Sequence, residues 1–424
     1  MRRPLATALA LLMLMAIAAL FSATKAPVAP TEVDVRPLSA ARGAEGSPGW
    51  KRRMRQAVRG LPMSVEIRYR GRVLFRKDAT NKRPPASVQK LLLSMALFHR
   101  SGNDRIETLL AARRRHGDVV RGDLWVFGRG DPSVTSKRGG GVRADFPTRL
   151  TAFVKAVRSA GIERIRGSVA ASKTYFKRDW DARGWLSDYQ EEEVALPTAL
   201  SINENVRGDA RTLDPELVLA RKLTRRLRAA GIRVGDAART GDKRIRGLDV
   251  IASVESAPFW VLARDMNKVS NNFFAEVLGK RLGVLKYGTP GTIRKGSRAI
   301  KAFARARGVR LRAFDSSGLS WANRVSPRGV VSLLRFARNR DWWPALRRGL
   351  PGAGEGTLEG RLGGVKLRAK TGTLDGVSTL AGWVWLERVG EWAEFAILSR
   401  GLSKERAVEA ENELVRLAHN RARP

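Results

Sequence analysis

The chain contains no cysteine and only three histidines, His99, His116 and His419, among 424 residues. No disulfide, no thiolate nucleophile and no cysteine-ligated metal can be built from it, and three scattered histidines do not make a zinc site. The serine–histidine and cysteine–histidine hydrolytic arrangements lose their general base for the same reason. A serine nucleophile assisted by lysine is the hydrolytic machinery left open, and neither a metal nor a cofactor is expected. Acidic residues are also sparse, 40 Asp plus Glu against 80 Lys plus Arg, for a formal charge of +40. A field of that sign attracts polyanions. An anionic envelope surface is one reading of it and an arginine-biased proteome with solvated basic faces is another. No nucleic-acid motif accompanies the charge, so nucleic acid is not the expected partner.

With 43% hydrophobic residues, the chain can bury one large or two ordinary cores. Arg2 and Arg3 precede an uncharged apolar run from Leu5 to Ala23, the pattern of an export signal. A run of ~19 residues also approaches the length that spans a bilayer, so residues 1–23 read either as a cleaved signal or as an N-terminal membrane anchor. Ser22, Ala23 and Ala26 permit cleavage. Either outcome places the body outside the cytoplasm. Residues 24–49, rich in Ala, Pro, Gly and Ser, read as a flexible linker.

The body begins near Trp50. Val65 to Tyr69 and Arg72 to Phe75 alternate around Arg70-Gly71, predicting an antiparallel hairpin with one buried face. Thr379 to Trp385 and Glu391 to Ser399 read as two further strands, and Lys404 to Arg421 as a closing helix. A sheet built from the first hairpin and these last strands would join the two ends of the chain around one core, with the middle as an insertion. Gly139-Gly140-Gly141 and the glycine-rich run from Gly352 to Gly356 lack the phosphate-loop lysine and read as turns.

Three motifs stand in order: Ser87-Val88-Gln89-Lys90, Ser270-Asn271-Asn272 and Lys370-Thr371-Gly372. Two of them have chance copies, Ser22-Ala23-Thr24-Lys25 for the first, Ser101-Gly102-Asn103 and Ser201-Ile202-Asn203 for the second. Local context selects among them. Pro84-Pro85 breaks the chain ahead of Ser87, an apolar helix follows from Leu91 to Phe98, and helical spacing puts Lys90 on the face of Ser87. A neutral Lys90 could then take the Ser87 proton, provided that burial and a nearby positive charge hold it neutral. Lys370 would supply that charge from a strand edge. Gly372 would let substrate approach the backbone, and Lys370 with Thr371 or Thr373 would hold a terminal carboxylate. Ser270 would relay a proton to the leaving amine, and Asn272 would position Lys90 and the substrate amide. Taken singly, each motif also fits a helix cap or a strand end.

In context the chain resembles the D-alanyl-D-alanine carboxypeptidase and endopeptidase family of penicillin-binding proteins, peptidase family S13. The resemblance covers most of residues 60 to 400. It rests on Pro85 to Lys90, Gly122-Asp123-Leu124-Trp125 with Gly130-Asp131-Pro132, Met266 to Asn272, Asp315 to Ser320 with Ser326-Pro327, Gly356-Thr357-Leu358, and Lys370 to Thr373. It implies an α+β fold of the penicillin-binding-protein and serine β-lactamase type, an antiparallel sheet with flanking helices and a helical subdomain, carrying one inserted α+β domain. The expected division is a catalytic domain of residues 50–110 and 257–424 with residues 111–256 inserted. It further implies acyl-enzyme chemistry at Ser87 on peptidoglycan stem peptides, an oxyanion hole of the Ser87 and Thr373 N–H groups, and β-lactams as covalent inhibitors. Two departures are visible. Helix-starting Asp214-Pro215-Glu216 follows soon after Ala199 to Asn203, where the family carries a further strand-rich subdomain, and Ser172 and Trp321 stand where an aspartate and an arginine are expected. The departures bear on substrate reach, so carboxypeptidase activity is expected first and endopeptidase activity second. A non-catalytic envelope-binding protein on this fold, and a β-lactamase or esterase, are the competing readings.

Overall fold

The computed structural model describes residues 49–136, 144–208 and 210–423. The expected leader, the linker as far as residue 48 and the Gly139-Gly140-Gly141 stretch lie outside the described residues. Among the described residues no helix is long and apolar enough to cross a membrane.

Helix α1 (Gly49–Ala57) leads into the hairpin β1 (Met63–Tyr69) and β2 (Arg72–Lys77), which pair antiparallel. Arg70 and Gly71 both adopt positive φ, 47° and 85°, the backbone a two-residue hairpin turn requires. The expectation of one buried face is corrected by the structure: in β1 every residue except half-buried Arg68 is buried, Ser64 and Glu66 included. β1 lies inside the sheet and helices cover both of its faces. Alternation in its sequence marks which face is apolar, whereas burial follows from what packs on each side.

After the hairpin comes α2 (Gln89–Ser101), buried without a break from Gln89 through Phe98. A helix buried all round must be apolar nearly all round, which makes the polar exceptions Gln89, Lys90 and Ser94 informative.

A second sheet follows, starting at β3 (Glu107–Ala112) and β4 (Leu124–Phe127). Helix α3 (Leu150–Ser159), strand β5 (Val169–Ser172), helix α4 (Pro215–Ala229) and strands β6 (Arg239–Gly241) and β7 (Asp249–Glu255) complete it in the order β6-β5-β4-β3-β7. The mixed parallel and antiparallel pairing closes its own core: Leu110, Val126 and Val169 pack with Phe153 and Val157 of α3 and Leu219, Leu223 and Leu227 of α4.

The chain then returns through α5 (Phe259–Lys268), α6 (Asn272–Tyr287) and α7 (Pro327–Arg338). Ser326 caps α7 through the Gly329 N–H at 3.2 Å, with Pro327 at the first helical position, where a missing N–H is harmless. Strands β8 (Leu367–Leu374), β9 (Val377–Leu386) and β10 (Glu391–Ser399) and the closing helix α8 (Lys404–Arg421) finish the molecule. The first sheet therefore runs β8-β9-β10-β1-β2, antiparallel throughout. On one face Trp50 and Met54 of α1 and Leu414 and Val415 of α8 pack on Val65, Ile67, Leu380 and Ile397. On the other face α2 and α7 pack on Ala381, Trp383, Ala396 and Leu398. The expected union of the first hairpin with the last strands is present, and β8, which carries Lys370, is an edge strand.

Candidate active site

The three motifs converge. Ser87 lies in a short 3-10 turn, Ala86–Val88, that runs directly into α2. Its predecessor Ala86 is held at φ 45°, a left-handed conformation that disfavours any residue with a Cβ by about 1–2 kcal/mol. The surroundings over-determine this turn. A Cβ added to Gly318, itself at φ 94°, would lie 1.9 Å from the Ala86 carbonyl oxygen and 3.0 Å from Ser87 N. One added to Gly372 would lie 2.3 Å from Thr379 Oγ1 and 2.8 Å from Ser87 N. The Thr379 hydroxyl also donates to the Pro85 carbonyl at 2.9 Å. Gly372 was expected to admit substrate to the strand; its bare Cα admits the nucleophile turn itself.

Lys90 is completely buried. Its Nζ lies 2.8 Å from Ser87 Oγ, 2.7 Å from Asn272 Oδ1 and 2.7 Å from the Ser317 carbonyl oxygen, three oxygens that match its three hydrogens. Burial pushes Lys90 down to about 7, against the carboxylates of Asp315, Glu276 and Glu193, which favour the charged form. Lys370, on β8, is equally buried, and its Nζ donates to the Thr371 carbonyl at 2.8 Å. It is held well below the ordinary lysine range by burial first, then by repulsion from Lys90 and Lys404. The dominant influence on Lys90 is thus desolvation rather than the Lys370 charge.

Ser270 occupies the turn between α5 and α6 with φ 60°. The helix cap is Asn271, whose Oδ1 accepts from Phe274 N at 3.0 Å. That leaves Asn272 in the first turn of α6, with its Oδ1 on Lys90. The remaining strand residues, Thr371 and Thr373, share one face of β8 and differ in what lies beside each. Thr371 is buried with its hydroxyl on Thr357 Oγ1 at 2.6 Å, while exposed Thr373 accepts from Lys404 Nζ at 2.7 Å. The chance motif copies go elsewhere. Asn103 Oδ1 caps Trp260 N, and the Ser201 hydroxyl donates to the Asp131 carbonyl.

Several contributors were not among the expected site residues, and of these only Asp315 lies in a motif of the resemblance. Asp315 organises the loop that holds Gly318 and Ser317: it accepts from Gly318 N, Ser320 N, Asn323 Nδ2 and Trp185 Nε1 at 2.7–3.2 Å. Glu193 and Glu204, from the segment between β5 and α4, accept from the side chains of Asn272 and Asn271 at 3.0 and 2.9 Å. Lys280, buried two turns along α6, donates to the carbonyls of Lys177, Asp179 and Pro197, each at 2.9 Å. It thereby ties the segment bearing Glu193 to the helix bearing Asn272. The two unusual positions, Ser172 and Trp321, have local partners, the Lys243 carbonyl at 2.7 Å and the Tyr189 hydroxyl at 3.2 Å. Among the described residues no group of His, Cys, Asp and Glu could hold a metal ion.

A buried lysine between a serine hydroxyl and an asparagine, with a second buried lysine on the adjoining strand edge, can deprotonate a serine in a water-poor site. Comparison with known proteins points the same way. The profile of the D-Ala-D-Ala carboxypeptidase 3 (S13) family matches residues 57–209 and 208–421. A D-alanyl-D-alanine carboxypeptidase from Actinomadura sp. (strain R39) is 27% identical over 406 residues, covering 74% of this chain and 73% of that one. In fold, the chain is similar to penicillin binding protein 4 from Haemophilus influenzae, with a TM-score of 0.72 at 21% identity over 85% of this chain and 98% of that one. The structure of that protein complexed with a β-lactam gives a TM-score of 0.68 at 21% identity, covering 87% and 99%.

Proposed function

Because the chain belongs to the D-Ala-D-Ala carboxypeptidase 3 (S13) family, we propose that it is a serine-type D-Ala-D-Ala carboxypeptidase acting on peptidoglycan stem peptides through a Ser87 acyl-enzyme, with DD-endopeptidase as a second activity. The observation that carries this is the fully buried Lys90 Nζ, 2.8 Å from Ser87 Oγ and 2.7 Å from Asn272 Oδ1.

In the proposed reaction neutral Lys90 takes the hydroxyl proton as Ser87 Oγ attacks the carbonyl between the two D-alanines. The oxyanion forms against the backbone N–H groups of Ser87 and Thr373, worth roughly 3–4 kcal/mol per donor in comparable acyl transfers. The approach of Gly372 to Ser87 N supports this pairing of donors. The proton passes by way of Ser270 to the leaving amine, D-alanine departs, and water hydrolyses the ester, its proton taken by Lys90 and returned to Ser87 Oγ as the acyl group leaves. Lys370, with Thr371 and Thr373 on the same strand, receives the terminal carboxylate. A carboxylate there favours the charged form of Lys370, and that charge in turn favours a neutral Lys90. β-Lactams acylate Ser87 by the same route.

The reading extends to location. The enzyme works outside the cytoplasm, brought there by residues 1–23 as signal or anchor, and its +40 charge favours residence against an anionic envelope. Residues 111–256, with the first half of β3 that leads into them, act as an inserted domain, a reading supported by the separate apolar core of the second sheet.

Purified wall peptides incubated with the enzyme and analysed by mass spectrometry are expected to lose a single terminal D-alanine, and crosslinked dimers to be cleaved more slowly. Peptides left unchanged while penicillin forms a stable adduct would sink the carboxypeptidase reading.

A pH profile tests the base. The active form of Lys90 is the neutral one, and the group titrates at about 7. The second-order rate of acylation by a penicillin should therefore climb tenfold per pH unit well below 7 and level off above it. A rate already flat between pH 5 and 7 would remove Lys90 from the role of base.

A further inference from the structure

Below the serine–lysine pair lies a carboxylate that the reaction above does not use. Glu276 stands one turn after Asn272 on α6 and is completely buried. Its Oε1 accepts two backbone N–H groups, from Ser316 at 2.9 Å and Ser317 at 2.7 Å. The carbonyl of that same Ser317 faces Lys90 Nζ at 2.7 Å, and the next residue, Gly318, rests against the Ala86 carbonyl and Ser87 N. One carboxylate thus grips the loop that touches both members of the pair. Its other oxygen, Oε2, has no hydrogen-bond partner among the described residues. An acid kept in that condition in a dry interior is disfavoured for stability alone, because a buried unsatisfied carboxylate oxygen carries a desolvation penalty.

We infer that Glu276 is a positioning residue for acyl transfer: it fixes the Ser317 carbonyl against Lys90 and supplies negative charge beneath the lysine from α6. The inference rests on Lys90 acting as the base. Four ionisable side chains surround Lys90: Glu276 from α6, Asp315 from the loop ahead of α7, Glu193 from the segment ahead of α4, and Lys370 from β8. Glu276 reaches Lys90 through one residue, Ser317, whose N–H it accepts and whose carbonyl faces the amine; Asp315 acts on the same carbonyl through the Gly318 N–H, and Glu193 through the Asn272 amide. Burial and the facing Asp315 carboxylate push Glu276 itself up to about 7, the same range in which Lys90 titrates. The two therefore exchange charge within one pH window and behave as a linked pair. A negative Glu276 stabilises the Lys90 ammonium, and its removal favours the neutral amine.

The test is the pH dependence of penicillin acylation in wild type, Glu276→Gln and Glu276→Asp. Glu276→Gln keeps an acceptor for the Ser316 and Ser317 N–H groups and deletes the charge. Its acid limb is expected to move to lower pH by on the order of one unit, so that at pH 6 it reaches about half of its own plateau where wild type reaches about a tenth of its own. Glu276→Asp keeps the charge and withdraws the carboxylate by one methylene. It should hold the wild-type midpoint while its plateau falls about tenfold, because the Ser317 carbonyl is no longer held. A purely structural residue would lower thermal stability in both variants without moving either midpoint. If the wild-type limb is present and Glu276→Gln leaves it in place, the charge role of Glu276 is overturned and the base role of Lys90 stands. If wild type shows no limb, the base reading fails and this inference fails with it. Should Glu276→Gln not fold, Glu276→Asp decides: a plateau equal to wild type overturns the positioning role.

Discussion

Replacing Ser87 with alanine is expected to abolish covalent labelling by a fluorescent penicillin altogether, because no other hydroxyl among the described residues is hydrogen-bonded to Lys90 Nζ. Ser87 is the serine within reach of Lys90 Nζ, at 2.8 Å. Ser270 and Ser317, the other serines of the site, sit on the turn before α6 and in the loop after Asp315, and Lys90 meets Ser317 through its carbonyl rather than its hydroxyl. Lys90→Ala should keep the nucleophile and lose the proton acceptor, slowing acylation on the order of a thousandfold. The double variant should be no slower than Ser87→Ala, since residues that act as one unit are not additive. Intact-mass spectrometry gives the readout. An adduct of unchanged stoichiometry on Ser87→Ala would move the nucleophile elsewhere in the chain and end the assignment.

The second large effect is expected at Gly318, a residue with no chemistry of its own. At φ 94° only glycine is relaxed, and an alanine Cβ would stand 1.9 Å from the Ala86 carbonyl oxygen. Both partners in that overlap are backbone, so no rotamer change relieves it. Gly318→Ala should cost about 3–5 kcal/mol from overpacking plus backbone strain. It should also displace the turn that holds Ser87 N, so acylation should fall together with the melting temperature. A Gly318→Ala protein that melts and acylates like wild type would show that the loop after Asp315 does not brace the nucleophile.

These two expectations differ in how legible they were. Ser87, Lys90 and Asn272 could be read from motif spacing, because three residues of helix bring the first two together and a proline pair sets where that helix starts. Gly318 could be read only as part of a resemblance, since a glycine in sequence does not declare the sign of its φ. Glu276 was less visible still. On α6 it looks like any polar residue of a helix, and its burial depends on a loop some forty residues later folding over it. Glu193 and Glu204 come from a segment whose contact with Asn271 and Asn272 is wholly tertiary. The strand hydroxyls show the limit in another form: the motif places Thr371 and Thr373 beside Lys370, but only tertiary neighbours decide that their oxygens meet Thr357 and Lys404. At the level of fold, the union of hairpin and terminal strands was readable from alternation. The burial of both faces of β1 was not, since Ser64 and Glu66 look like solvent-facing positions.

The pairing of β1 with β10, which sets Met63 opposite Ser399, has a temporal consequence. The nucleophile is made well before the strand its sheet needs, so the loop to be closed is long and closure waits for β10. Until β10 and β8 have emerged, α2 has no sheet to lie on, Lys90 has no dry pocket, and Ser87 is an ordinary alcohol. The second sheet, whose strands and core all lie between residues 107 and 255, can close earlier, while the nucleophile stays unreactive until the first sheet is complete.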